Sequence, residues 1–336
     1  MRLLVLGGTR FLGRAAVDTA LAAGWHVTTL TRGESGTPPV PVDARTGDRT
    51  TADGLAALDA GEWDVCIDTS GYVPRDVLAG ARALDGRVGH YVFVSSISVH
   101  PGWPEEATSV DSPQHECKPD AGPDDGDYGT LKAGCERAVE DMFGAASTLI
   151  RAGLLVGPHD NTVRLSWWLS RIARGGEVLA GGSPDLPTQF IDVRDLAAWM
   201  LHCGQNGVSG PFVSTSLPGS STFGRMLAAA RAVTGSDASI TWVDDEHLLD
   251  SAVEPWTELP LWTPVDRAPH TWDADSVPAR DAGLACRPIE ETVADTWAWM
   301  REVGVEAAVG TRVSNRVGAG IDAAKERAIL DAWHGR

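Results

Sequence analysis

The first thirteen residues, MRLLVLGGTRFLG, constrain this chain more than any other stretch. Arg2 to Leu6 form an apolar run of the length of one buried parallel strand. Gly7-Gly8-Thr9-Arg10-Phe11-Leu12-Gly13 follow at once, and a helical pattern begins at about Phe11. A strand, a glycine-rich turn and a helix in this order make a site for a dinucleotide's pyrophosphate. Gly7 allows the tight turn, Gly13 lets the helix pack on the strand, and the helix N-terminus presents free N–H groups. Thr9, Arg10, Phe11 and Leu12 complete the expected cradle. Arg10 stands at the middle position of G-x-x-G-x-x-G, where a glycine usually admits the phosphates. Its side chain has to leave the turn, and its fork of donors suits a phosphate on the adenosine end. A solvated surface arginine is the alternative.

The helix is expected to run to about Ala23, with Gly24 as its stop. His26 to Thr31, HVTTLT, read as the second strand. An acid closing this strand would bond the 2′-hydroxyl of NAD, whereas an arginine nearby accommodates the 2′-phosphate of NADP. The strand ends Thr31-Arg32 with no acid, so NADP(H) is the expected cofactor and NAD(H) the alternative. Arg32 and Arg10 would converge on one phosphate. Val40 to Asp43 read as the third strand. Asp48 then either accepts from the adenine amino group or caps a helix over 52–59. Asp64 to Asp68 form the fourth strand, ending in Thr69-Ser70-Gly71, small residues suited to a backbone beside a cofactor. A helix over 75–84 leads to the fifth strand, Tyr91 to Ser95. This alternation implies a doubly wound parallel sheet, an α/β fold of the Rossmann type, over residues 1–158.

Residues 96–126 break the rhythm with Pro101, Pro104, Pro113, Pro119 and Pro123. A loop of this length is usually functional or mobile, and it lies beyond a strand's C-terminal end, where ligands bind in such sheets. A helix over 127–143 and a sixth strand over 147–151 resume the pattern. Beyond residue 158 the periodicity is mixed. Helices are read over 164–174, 193–202 (capped by Asp192) and 222–234, with strands over 189–191, 212–214 and 240–243. They imply a smaller mixed α/β substrate lobe over 159–303, with some segments returning to the sheet, and a helical tail over 304–336.

The formal charge of −18 argues against nucleic acid and anionic membranes as partners. The five cysteines are odd in number and form no C-x-x-C, so they read as free thiols in a reducing compartment. No leader precedes the first strand and no apolar run reaches ~18 residues, so a cytoplasmic protein is expected. No cluster has metal-ligand spacing.

Tyr128-Gly129-Thr130-Leu131-Lys132 carries the chemistry. Residues four apart share one helix face. With 3 tyrosines, and lysines only at 118, 132 and 325, chance supplies about 0.03 Tyr-x-x-x-Lys pairs. A phenol's ordinary pKa near 10 is too high for ready proton exchange at neutral pH. A neighbouring ammonium is expected to stabilise the phenolate and fit the pair for general acid–base work on a carbonyl or alcohol.

With GGTRFLG, VFVSSISV, YGTLK, LIRAGLLVGPHD and QFIDVRDLA, the chain resembles the short-chain dehydrogenase/reductase superfamily. The resemblance is closest to its extended branch, the NAD-dependent epimerase/dehydratase family, and covers roughly residues 1–300. It implies a third catalytic residue just past the fifth strand, at Ser96, with Ser98 as runner-up and a candidate substrate contact. It implies that Lys132 also holds the nicotinamide ribose and that Leu154 lies beside the cofactor; relatives often dimerise through a four-helix interface that includes the Tyr-bearing helix, which leaves the oligomeric state open between a homodimer and other states. By the family's layout, Trp167, Trp168, Trp256 and Trp262 would face the substrate cleft as an aromatic wall, with core packing as the alternative. Arg164 and Arg171 share a helix face and are candidates for an anionic substrate group, with a solvated face as the alternative. Arg151-Ala152-Gly153-Leu154 lacks the Asn with which many sugar-nucleotide epimerases of the family hold substrate.

The expected function is therefore NADPH-dependent reduction of a carbonyl or imine on a small molecule, in secondary metabolism. Tyr128 would donate the proton and Ser96 would hold the developing oxyanion. The alternatives are a sugar-nucleotide epimerase or dehydratase with tightly held NAD(P), and a dinucleotide-sensing protein without chemistry. The last should lack Tyr-x-x-x-Lys.

Overall fold

The computed structural model describes residues 1–36, 38–310 and 320–335. The apolar opening becomes β1 (Arg2–Leu6), buried from Leu3 to Leu6. α1 (Phe11–Ala22) turns back over it, and Gly24 reverses the chain at φ +73°. β2 (His26–Thr31) pairs in parallel with β1. β3 is Asp43–Thr46, three residues later than the sequence suggested. Pro38, Pro39 and Pro41 have no N–H to donate, so pairing with β2 starts only beyond them, at Asp43 opposite Thr28.

α2 (Ala52–Leu55), β4 (Trp63–Asp68), α3 (Pro74–Ala83), β5 (Val88–Ser96), α4 (Tyr128–Phe143) and β6 (Ser147–Ala152) follow. After them come β7 (Leu154–Val156), α5 (Arg164–Ala173), β8 (Glu177–Gly181), β9 (Pro187–Thr188), β10 (Phe190–Asp192), α6 (Val193–Asn206) and β11 (Gly210–Ser214). Seven strands form one parallel sheet in the order β11-β6-β5-β4-β1-β2-β3. The order reverses between β1 and β4, and at that point the C-terminal strand ends open a crevice. Leu6 and Asp68 are register partners there. Thr69 N–H, Thr69 Oγ1 and Ser70 Oγ all donate to the Leu6 carbonyl, closing the sheet beneath the glycine turn.

Apolar residues fill both faces of the sheet. One core lies under α1 and α6, around Val17, Leu196 and Trp199. The other lies under α2, α3 and α4, around Leu58, Val77 and Val139. β11 and α6 thus belong to the sheet layer although they follow residue 158. A third core is separate. It gathers α5, β8 and the later elements β12 (Ser221–Thr222), α7 (Phe223–Thr234), β13 (Ser239–Val243), α8 (Asp245–Asp250), α9 (Val277–Asp281), α10 (Ile289–Val303), α11 (Val305–Gly310) and α12 (Ala323–His334). β8 and β13 pair in parallel as its ribbon. α9 is the exception, since its Ala279 packs into the core beneath α1 and α6.

The C-terminal helix is anchored. Glu326 is buried and accepts from Arg171 Nε at 2.8 and 2.9 Å and from the Leu179 N–H at 3.1 Å. Residues 96–126 are fastened too. Arg137 donates to the His115 and Cys117 carbonyls, and the buried Arg151 donates to the Val110 carbonyl at 2.8 Å. Arg151 is itself paired with the buried Glu136 at 2.9 Å. No helix among the described residues is long and apolar enough to cross a membrane.

Candidate active site

The crevice begins at the glycine turn. Gly7 and Gly8 adopt φ +113° and +112°, values that L side chains rarely reach. A Cβ on Gly13 would lie 2.7 Å from the Gly8 nitrogen, so α1 approaches the turn as closely as backbone allows. Arg10 is the N-cap of α1 in extended backbone, φ −126°, which explains why an arginine is tolerated where a glycine is usual. Its side chain is exposed and makes no cap hydrogen bond, so the first-turn N–H groups face the crevice without a side-chain acceptor. This cradle fits the pyrophosphate of a nicotinamide dinucleotide. Thr9 and Phe11 are half-buried at its rim, and Leu12 is buried under it.

Arg32, at the end of β2, is exposed and pairs with Glu34 at 3.3 Å. Asp48 lies near enough for Arg32 to help depress its carboxyl, after the hydrogen bonds from Thr50 that dominate. Asp48 does not cap α2. Its Oδ1 accepts from the Thr50 N–H and hydroxyl, and Thr51 caps the helix by accepting from the Gly54 N–H at 3.1 Å. A Cβ on Gly54 would meet the Asp48 carbonyl at 2.0 Å, and this close approach places the cap three residues beyond Asp48.

α4 brings Tyr128 and Lys132 to the same crevice. Asp127 caps the helix by accepting from the Thr130 N–H at 2.8 Å. Gly129 is obligatory in its place, because a Cβ there would lie 2.1 Å from the Ser98 carbonyl oxygen. The close approach sets Tyr128 beside Ser96, the last residue of β5. Ser96 lies near enough to the Tyr128 phenol to favour its ionised form, and its hydroxyl accepts from the Ser98 N–H at 3.1 Å. Of the crowded serines Ser96 is the one that influences the phenol, and it donates to the Ser98 hydroxyl at 3.2 Å. Lys132 is buried and donates to the Gly71 carbonyl at 2.7 Å and the Val94 carbonyl at 2.8 Å. Burial pushes its ammonium down to about 8.

The expected depression of the Tyr128 phenol is not met. Desolvation holds its pKa above the ordinary value, and the nearby Ser96 hydroxyl offsets only part of that. Lys132 spends its donors on two carbonyls, with its nitrogen 6.0 Å from the Tyr128 ring centre. Tyr128 is therefore a neutral phenol at pH 7, the proton-donating form.

Beneath the site is a buried cluster that the sequence reading missed. Asp68 is 0% exposed. It accepts from Arg49 at 2.6 and 2.9 Å, from the Tyr91 hydroxyl at 2.8 Å and from the Ser70 N–H at 3.0 Å. Burial drives its carboxyl up, but Arg49's charge and these hydrogen bonds outweigh burial and leave it below the ordinary carboxylate range. An acid ending a buried parallel strand was the available signal. Its partner lies nineteen residues earlier, in a turn that reads as solvent-facing.

The aromatic wall is only partly built. Trp167 and Trp168 are core residues rather than cleft residues. They meet edge to face at 4.7 Å, and Trp168 Nε1 donates to the Pro260 carbonyl at 2.6 Å. The apolar stripe of α5 turns both indoles into the third core, the ordinary solution for an amphipathic helix. Trp262 is buried there as well. Arg171 faces inward to Glu326, so it does not share a binding face with Arg164. Arg164 and Trp256 are brought together, the guanidinium 6.0 Å from the indole centre, and Arg164 is close enough to favour the Tyr128 phenolate slightly. Leu154 opens β7, half-buried and opposite Phe190.

A family model described as "NAD dependent epimerase/dehydratase family" matches residues 3–213, from β1 through β11. The chain belongs to this family. Its members' fold recurs in solved structures. The Bordetella bronchiseptica enzyme WbmH in complex with NAD+ superposes at TM-score 0.68 with 16% identity, covering 90% of this chain and 99% of that one. UDP-glucose 4-epimerase with UDP-glucose from Thermotoga maritima gives 0.64 and 16%, with the same coverage. UDP-glucuronic acid 4-epimerase from Bacillus cereus, in complex with NAD, gives 0.65 and 12%, covering 94% and 99%. No curated protein matches the sequence. The match makes the chain an enzyme of the epimerase/dehydratase type that uses a nicotinamide dinucleotide.

Proposed function

We propose that this protein moves a hydride and a proton at one alcohol or carbonyl carbon of a sugar-nucleotide-like substrate, with its cofactor retained through the cycle. The observation that carries the reading is the convergence of Ser96, Tyr128 and Lys132 beside a glycine cradle. A bound nicotinamide supplies the hydride acceptor and donor. Tyr128 exchanges the proton of the substrate oxygen. Ser96 orients that oxygen by a hydrogen bond. Lys132 leaves its carbonyl partners to hold the nicotinamide ribose. Arg164 and Trp256 form the substrate-side wall, a cation beside an aromatic face. Family membership supports this transient-oxidation reading better than the net reduction expected from the sequence.

Net reduction by NADPH remains the second reading, and two observations favour it. Arg32 directly follows β2, which closes on Thr31 with no acid in the ribose-selecting position, and Tyr128 is held as a proton donor. Cofactor accounting separates the readings. The purified protein is incubated with a panel of nucleotide sugars, ketones and imines, and products and free cofactor are measured together. Conversion of a sugar nucleotide without net change of nicotinamide supports the first reading. Stoichiometric NADPH consumption overturns it.

A further inference from the structure

The chain has thirteen tryptophans, six phenylalanines and three tyrosines. Of these aromatic side chains only Tyr72, at 57%, and Tyr128, at 52%, are exposed. Both face one group. The Lys132 nitrogen lies 4.8 Å from the Tyr72 ring centre and 6.0 Å from that of Tyr128. Phe93, fully buried, closes the inner side at 5.0 Å. Tyr72 directly follows Gly71, whose carbonyl accepts from the same ammonium. Gly71 cannot be larger, since a Cβ there would lie 2.6 Å from Phe93 and 2.7 Å from Val77. The end of β4 therefore presents both a carbonyl and a ring to Lys132.

An exposed tyrosine alone would carry no meaning. This one stands where packing does not require it, over the one buried lysine, on the cleft side. We propose that Tyr72 is a positioning residue of the catalytic centre, holding the Lys132 ammonium from the cleft side by its ring face while Phe93 backs it from within. The electron-rich faces of the two rings stabilise the charged ammonium where the Gly71 and Val94 carbonyls accept its hydrogen bonds. The proposal rests on the role given above to Lys132. It assigns Tyr72 the task of keeping that lysine charged and aimed when the ribose is absent. The other charged or titratable groups around Lys132 are Asp68 and Arg49 below it, and Cys135 and Glu136 on its own helix.

The chain's three lysines make the test direct. Lysine labelled with ¹³C at Cε gives three resonances, and the titration midpoint of Lys132 is read against those of Lys118 and Lys325. Position 72 is filled with phenylalanine and then with phenylalanines of increasing fluorination, which drain the ring face without changing access of water. The protonation constant of Lys132 is expected to fall about two- to five-fold across the series while the other two lysines stay fixed. A Lys132 midpoint that does not move beyond the scatter of Lys118 and Lys325 overturns the proposal. Fluorescence titration with NADPH and NADH is run beside it. Tyr72→Phe should keep wild-type affinity and Tyr72→Leu should lose several-fold, and equal affinity in both variants also overturns the proposal. Failure of the wild-type protein to bind either dinucleotide would instead sink the role of Lys132 in the proposed function, and the lysine titration would still decide the contact with Tyr72.

Discussion

Arg49→Ala is the perturbation that most directly tests how the site floor is built. Asp68 is fully buried and takes four hydrogen bonds, two of them from Arg49 at 2.6 and 2.9 Å. The substitution removes those two bonds and the cation paired with the carboxylate. The Tyr91 hydroxyl and the Ser70 N–H remain. Removing one partner of a buried pair costs about 3–5 kcal/mol, because the other charge stays behind uncompensated. The sign with pH follows from linkage. In the intact protein the Asp68 carboxyl is depressed, so its pairing contributes stability above the unfolded carboxylate pKa of about 3.9 and loses it as pH falls through the folded value. In Arg49→Ala burial acts with much weaker opposition and pushes the same carboxyl up. The penalty is then full near pH 8 and shrinks toward acid as protonation relieves it. Urea unfolding of both proteins at several pH values, followed by circular dichroism, measures the difference. The double variant Arg49→Met/Asp68→Asn should recover most of the loss. A loss below about 1 kcal/mol at pH 8, or one that grows toward acid, refutes the reasoning.

Tyr128→Phe should lower turnover about 10²–10⁴-fold on a substrate found in the panel while leaving dinucleotide affinity unchanged, and full activity would exclude Tyr128 as the proton carrier. Ser96→Ala should cost about 10²–10³-fold and Ser98→Ala much less, since Ser96 is the serine that influences the phenol; the reverse order would move the oxygen-binding role to Ser98. Arg32→Ala should weaken NADPH but not NADH in parallel titrations, and equal losses would remove Arg32 from a 2′-phosphate site. Glu326→Ala strands the buried guanidinium of Arg171 and should destabilise the chain by about 3–5 kcal/mol in denaturant unfolding; a change within about 0.5 kcal/mol would show that α12 is not an anchor.

Local pattern determined much of this protein. The strand-glycine-helix opening, the alternation through Ala152 and the four-residue spacing of Tyr128 and Lys132 are short-range features, and short-range geometry sets them. β3 was misplaced because three prolines had to be weighed against an apolar look, and the missing N–H groups prevailed. Whatever depended on distant partners was decided by tertiary structure. Trp167 and Trp168 face a core because α7, α10 and the loop at Pro260 come to cover that side of α5. Arg171 is a structural ion because a helix 155 residues later brings Glu326 to it. Tyr128 keeps a high pKa because the fold desolvates the phenol, while Lys132 is aimed at the carbonyls of Gly71 and Val94. Spacing places residues on one face, but desolvation and the choice among hydrogen-bond acceptors exist only once strands 23 residues apart lie side by side, as Asp68 and Tyr91 do.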